Sequence, residues 1–158
     1  MNITRNICIS IFIAWLSSFQ LYGQCYPDRH STNVHDGWVS CSISPHPISE
    51  IDDHHWIMYD FGKVNKMYSS KVWNLNSPEH LDWNTKEALI HYSKDGIKWK
   101  SLGNFKFDQA TGDPLYQGTK GPDFDGLKAR FLVITPISNY GGECYGLGEI
   151  RIYTEPNI

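Results

Sequence analysis

Seven histidines, four cysteines and seventeen acidic residues are the side chains with which this chain could do chemistry, and their spacing decides how much of it is available. His30, His35, His46 and the pair His54-His55 suggest zinc, which takes imidazole nitrogens in tetrahedral sets. None stands in an H-E-x-x-H pattern or a closed Cys/His finger spacing, so they read as scattered surface histidines. Gly141-Gly142-Glu143-Cys144 offers a thiol, with His80 or His91 as its base. A nucleophilic thiol needs neighbours that stabilise the thiolate, and a disulfide or an inert cysteine fits this segment better. Asp52-Asp53 and the pair Glu79 and Asp82 are candidate glycosidase acids. That chemistry needs two carboxylates at a set separation across a cleft, which adjacency in sequence does not supply. No G-x-S-x-G elbow, P-loop or Rossmann fingerprint occurs either, so these residues make no case for an enzyme.

Aromatic residues make up 14% of the chain. Trp38, Trp73, Trp83, Tyr116, Tyr140 and Tyr145 sit among Gly, Asn, Asp and Pro rather than in strand patterns. Such residues are either packing under loops or a platform for a ligand, and composition does not separate the two.

The elements that must position these residues are strands. No long 3.6-residue apolar period appears, whereas Ala88, Ile90 and Tyr92 alternate with Glu87, Leu89, His91 and Ser93 as a half-buried antiparallel strand does. Asp95-Gly96 then predicts a hairpin, because glycine accepts the positive φ that tight turns require. Further strands are expected at 56–61, 71–75, 98–102, 130–135 and 149–153. Two long loops are expected at 28–50 and 110–126, the second punctuated by Gly112, Pro114, Gly118, Gly121, Pro122 and Gly126. Many short strands with frequent turns imply an all-β antiparallel sandwich or jelly roll, and ordered loops on such a scaffold are where binding concentrates.

Residues 1–23 read as a secretory signal: Arg5 supplies the positive start, 7–19 a short apolar run, and Leu21-Tyr22-Gly23 a small-residue end before Gln24. The run is too short and too serine-rich to span a bilayer. The expected products are a signal peptide, 1–23, and one exported domain, 24–158, secreted or placed on an outer surface. Arg5 is the charged residue of the leader, and its removal takes the net charge from −3 to −4. No basic block appears, which argues against nucleic acid and anionic membrane as partners. Cys25, Cys41 and Cys144 remain, an odd number in an oxidising compartment. Cys25–Cys41 would close the N-terminal loop, and a bond to Cys144 would tie that loop to the segment before the last strand.

Three blocks carry a resemblance. Trp56-Ile57-Met58-Tyr59-Asp60-Phe61-Gly62, the run Ile90 to Trp99 containing Tyr92-Ser93-Lys94-Asp95-Gly96, and the closing Gly148-Glu149-Ile150-Arg151-Ile152-Tyr153 occur in an order and spacing similar to the discoidin (F5/8 type C) domains and family-32 carbohydrate-binding modules. The resemblance runs from about Asp36 to Tyr153. It implies an eight-stranded jelly roll whose loops at one end meet ligand, in many members with a structural calcium.

In that group calcium is held by backbone carbonyls, an Asp from an "A-x-D-G-x-x-x-T-x-W" loop and a Glu of the final strand, the oxygen mixture calcium favours. Here Val34-His35-Asp36-Gly37 is similar to the loop's first half and Glu149 to the Glu. Ser40-Cys41-Ser42 replaces the expected Thr and the tryptophan comes early at Trp38, leaving Ser40 as the hydroxyl candidate. The implied calcium set is Val34, Asp36, Ser40 and Glu149. Holding that loop also favours the Cys25–Cys41 disulfide. The aromatic that stacks on a pyranose in sugar-binding members falls at Tyr145. The segment where the group supplies Arg has none and holds Asn76, His80, Asp82 and Trp83, so galactose specificity does not carry over. The expected ligand set is Asn76, His80, Asp82, Trp83 and Tyr145. The implied function is recognition of a glycan or glycoconjugate. The alternative is adhesion to a cell-surface protein by the same fold.

Overall fold

The computed structural model of the protein describes residues 30–156. The leader, the boundary at Gln24 and Cys25 lie outside the described residues. Among the described residues nine strands follow one another: β1 Trp38–Ser40, β2 Ile57–Met67, β3 Ser70–Trp73, β4 Thr85–Ser93, β5 Trp99–Lys106, β6 Thr119–Lys120, β7 Leu127–Asn139, β8 Tyr145–Leu147 and β9 Glu149–Ile152. They form a four-stranded sheet ordered β2-β7-β4-β5, a three-stranded sheet β6-β3-β9 and a two-stranded ribbon β1-β8. Every pairing is antiparallel. Among the described residues no helix is long and apolar enough to cross a membrane.

One core joins the sheets. Met67, Ala88, Ile90, Ala129, Leu132 and Ile134 from the large sheet meet Val72 of β3 and Leu147 of β8, with Trp38, Ile150 and Ile152 packed against them. The period-two reading of β4 therefore holds, since Ala88 and Ile90 face inward and Tyr92 packs on the same core. The expected hairpin is there as well. Asp95 Oδ1 accepts from Ile97 N at 2.9 Å and Lys98 N at 2.8 Å, while Gly96 takes φ 75°. Those two backbone amides, aided by the Ser93 hydroxyl, hold the Asp95 carboxyl below its ordinary range.

Three strands fall where the sequence reads as loop or carries no strand pattern: β1, β6 and β8. Each has two or three residues and lies among Gly, Cys, Ser and Tyr, too short for alternation to register. This ribbon decides the disulfide. Trp38 pairs with Leu147 and Ser40 with Tyr145, which brings the next residues of that register, Cys41 and Cys144, face to face. Their Cα atoms are 4.2 Å apart and the sulfurs are bonded. The expected Cys25–Cys41 bond is thus corrected to Cys41–Cys144: strand register, not closeness in sequence, selects the partner.

Candidate functional site

Three loops gather at the end of the sandwich where β3 leaves, β4 enters and β7 leaves. The turn Val34–Asp36 is a single 3-10 turn capped by Asn33, whose side chain accepts from His35 N at 3.0 Å. Gly37 follows it because the chain runs tight against its neighbours: a Cβ there would lie 2.8 Å from Leu75 Cδ1 and 3.0 Å from the Leu147 carbonyl oxygen.

The 74–84 loop is pinned by buried asparagines. Asn74 donates to the carbonyls of Thr85 at 2.7 Å and Asp108 at 3.0 Å. Asn76 donates to Asp113 O at 2.9 Å and accepts from Gly112 N at 2.8 Å. Asn84 donates to Leu75 O at 2.7 Å and accepts from Ala110 N at 2.6 Å. Each amide imitates a backbone peptide and satisfies groups that a loop cannot pair by itself.

On this frame the 3-10 turn Leu81–Trp83 sets His80 over Trp83, rings 3.7 Å apart and 20° from parallel. The Asp82 carbonyl accepts from Tyr140 N and Gly142 N, both at 3.1 Å, tying this turn to the 140–144 loop. Val34, His35, Gly37, Val39, His80 and Trp83 line an open concavity of about 550 Å³. Asp82 stands exposed beside it.

Not all the expected ligand residues meet there. Asn76 is 3% exposed and both ends of its amide are spent on the 112–113 backbone, so it is a structural pin and leaves the ligand set. Tyr145 lies elsewhere. Val39 lines the concavity, and alternation along a strand turns Ser40 and its partner Tyr145 to the other face of the ribbon. There the Tyr145 ring is 4.7 Å from His55, and Ser40 Oγ is 2.9 Å from His55 Nδ1.

That second cluster went unread in the sequence, where its histidines look scattered. His46 Nδ1 accepts from Ile48 N at 3.1 Å, so in the neutral ring Nε2 carries the proton and donates to Thr135 Oγ1 at 2.9 Å. Thr135 alternates along β7 with the core residue Ile134, is itself buried, and is reached by the 41–56 segment through His46. Burial lowers the pKa of His46, with repulsion from His91 and His54 adding to it. Burial also lowers His55, helped by His54, and lowers His91, whose Nδ1 is buried without a hydrogen-bond partner.

The implied calcium set also divides. Ser40 faces His55, and its partner Tyr145 is four residues, about 13 Å of extended chain, from Glu149. Asp36 and Val34 do lie at the Gly148-Glu149 turn, since Gly37 packs on Leu147 and Gly148. Glu149, however, already meets two basic groups: His30 Nε2 is 2.7 Å from one carboxylate oxygen and Arg151 Nε 3.4 Å from the other. Among the described residues no three His, Cys, Asp or Glu side chains converge in a metal-holding group. An imidazole and a guanidinium thus compete with any cation for the Glu149 oxygens, and the remaining ligands of the implied cage would have to come from backbone carbonyls.

Fold and concavity together define a β-sandwich binding domain of jelly-roll type. The sequence pattern of the F5/8 type C domain matches residues 26–150, and the chain belongs to that family. Solved structures with this fold include the family 32 carbohydrate-binding module from Streptococcus pneumoniae EndoD, with a TM-score of 0.52 and 14% identity over 78% of this chain and 79% of that one. The C-terminal domain of a chitobiase from Bacteroides fragilis aligns with a TM-score of 0.50 and 18% identity over 63% and 62%. CBM32-3 from a family 31 glycoside hydrolase from Clostridium perfringens aligns with 0.50 and 14% over 63% and 66%. No curated protein matches.

Proposed function

We propose that this protein is an exported, non-catalytic, lectin-like domain that binds glycan in the concavity between the 34–37 and 80–83 turns. The observation that carries the reading is the stacked His80–Trp83 pair in an open pocket on a carbohydrate-binding-module fold. An aromatic surface suits the C–H face of a pyranose, and the imidazoles of His35 and His80 with the Asp82 carboxylate supply donors and acceptors for hydroxyls. The site residues of this reading are His35, His80, Asp82 and Trp83. Tyr145 belongs instead to the His55 cluster.

A glycan array followed by titration calorimetry tests it: one sugar class binds, and Trp83→Ala abolishes that binding while the His55-side variant Tyr145→Phe leaves it intact. Silence across the array, with capture of a single surface protein, sinks the glycan reading in favour of adhesion. Export rests on the leader-like residues 1–23 and is supported by the Cys41–Cys144 bond, which persists in oxidising compartments. In place of calcium, the reading gives Glu149 to His30 and Arg151.

A further inference from the structure

The lysines and arginines are dispersed in sequence but not in space. β2 ends and β3 begins at one end of the sandwich, joined through residues 68–69; the β4–β5 hairpin and the 121–126 connection lie at that same end, because Met67 pairs with Leu127 and Ser93 with Phe131. The 34–37, 74–84 and 140–144 loops, with the concavity, lie at the other. At the first end Lys66 stands directly opposite Lys128. Lys71 stands opposite both Lys120 and Arg151, so three cations form one row across the β6-β3-β9 sheet. The hairpin adds Lys94 and Lys98. Like charges directly opposite on neighbouring strands destabilise a sheet, so these pairings are not a folding device. Trp73 tempers one of them, with Arg151 and Lys71 lying 4.7 Å and 5.0 Å from its ring. Asp60 is held down to about 2 chiefly by its hydrogen bonds from Arg130 and offsets that residue, and Glu149 lies 3.4 Å from Arg151 Nε. Asp95, Asp123 and Asp125 stand on the hairpin and the 121–126 connection, so cations outnumber acids at this end without being alone there. The concavity end carries the opposite sign, with Asp36, Glu79, Asp82 and Glu143 on its loops. In a chain of net charge −3 this is a separation of charge, not a basic composition.

We propose that the end opposite the concavity is a docking surface for an anionic polysaccharide, its carboxylate or sulfate groups meeting the Lys120–Lys71–Arg151 row and the Lys66–Lys128 pair. Between the lysines lie shallow hollows with hydroxyl groups at their walls: one of about 310 Å³ is bounded by Ser69, Lys71, Thr119, Lys120 and Tyr153. Another, of about 210 Å³, is bounded by Tyr92, Ser93, Lys94, Asp95, Lys98 and Lys100, three cations against one carboxylate. Hollows of this size admit a sugar ring and its charged substituent. The choice of a sugar polymer rests on the glycan reading above, whereas the placement of charge does not.

Binding to polygalacturonate and to dextran sulfate, with neutral dextran as control, tests the proposal and tells carboxylate from sulfate. One or both anionic polymers bind, binding weakens steeply with salt, and Lys71→Glu/Lys120→Glu loses about tenfold in affinity. Lys86→Glu/Lys106→Glu, at the other end, does not. Trp83→Ala leaves polymer binding intact and removes only the concavity ligand, so the two readings fail separately. Absence of binding to both polymers at low salt overturns the proposal, as does equal binding by the Lys71/Lys120 variant with an unchanged melting point. Tighter binding to single-stranded DNA, or to vesicles of equal phosphatidylserine and phosphatidylcholine, overturns the choice of polysaccharide.

Discussion

At the scale of single residues, the asparagines matter most to the geometry of the concavity. Asn84 is 0% exposed and its amide joins Leu75 O to Ala110 N, so Asn84→Leu keeps the volume and strands two buried backbone groups. The expected cost is about 2–4 kcal/mol, read from denaturant unfolding; a loss within about 0.5 kcal/mol would show that the loop pairs its backbone without this side chain. Glu149 gives a second prediction. With His30 and Arg151 on its carboxylate, melting is the same in calcium and in chelator, and an upward shift in calcium of several degrees would reinstate the metal. These residues also mark what sequence conceals. Asn76 and Trp83 lie on the same loop and read alike as ligand walls. An amide that pins a backbone and one that meets a hydroxyl have identical chemistry, and only burial tells them apart. His80 and Trp83 entered the expected set through their place in the resemblance, and their stacking was not legible, because it depends on the 3-10 turn Leu81–Trp83 that brings the rings together.

Elements depend on two fastenings, one covalent and one protonic. The Cys41–Cys144 bond closes a loop of 103 residues in sequence separation around a ribbon of two three-residue strands. Reduction, or Cys41→Ser with Cys144→Ser, should cost about 3–5 kcal/mol, checked by the denaturant midpoint; the chain-entropy model sets that range for a loop of this length. The 41–56 segment, by contrast, meets β7 through His46 and the β1–β8 ribbon through His55, with His91 of β4 half-buried nearby. His46, His55 and His91 have folded pKa values below the ordinary 6.5, so the unfolded chain takes up protons first as pH falls. Their contribution is whole above about 6.5 and is lost as pH drops through the lowered folded values. Melting temperature should therefore fall between pH 7.5 and 5, and less so in His91→Leu; a profile flat over that window, or one unchanged by the substitution, would remove the histidines from the account. Long strands were legible from sequence because alternation is visible over eight or more residues, as in β4. The ribbon was not, since three residues carry no period and their pairing lies over a hundred positions away.

For the whole molecule, the fold follows from ordered strand blocks and turn residues, while the distribution of charge follows from topology. Lys66 and Lys128, 62 residues apart, and Lys71 and Lys120, 49 apart, become neighbours only once β2 pairs with β7 and β3 with β6, so absence of a basic block in sequence says nothing about a basic end. A body positive at one end and negative at the other has a consequence for its own solution behaviour. The two ends of different copies attract, and because the contact is head to tail it does not close on itself as a symmetric dimer does. The attraction reaches about 30 Å in 10 mM salt and about 8–10 Å at physiological strength. Light scattering at low ionic strength should then show a mean mass rising with concentration, reverting to monomer on addition of about 150 mM salt. Lys71→Glu/Lys120→Glu should suppress that rise. Association that persists in high salt, or that survives the double reversal, would be apolar in origin and would point instead to exposed residues such as Ile97, 81% accessible at the tip of the β4–β5 hairpin.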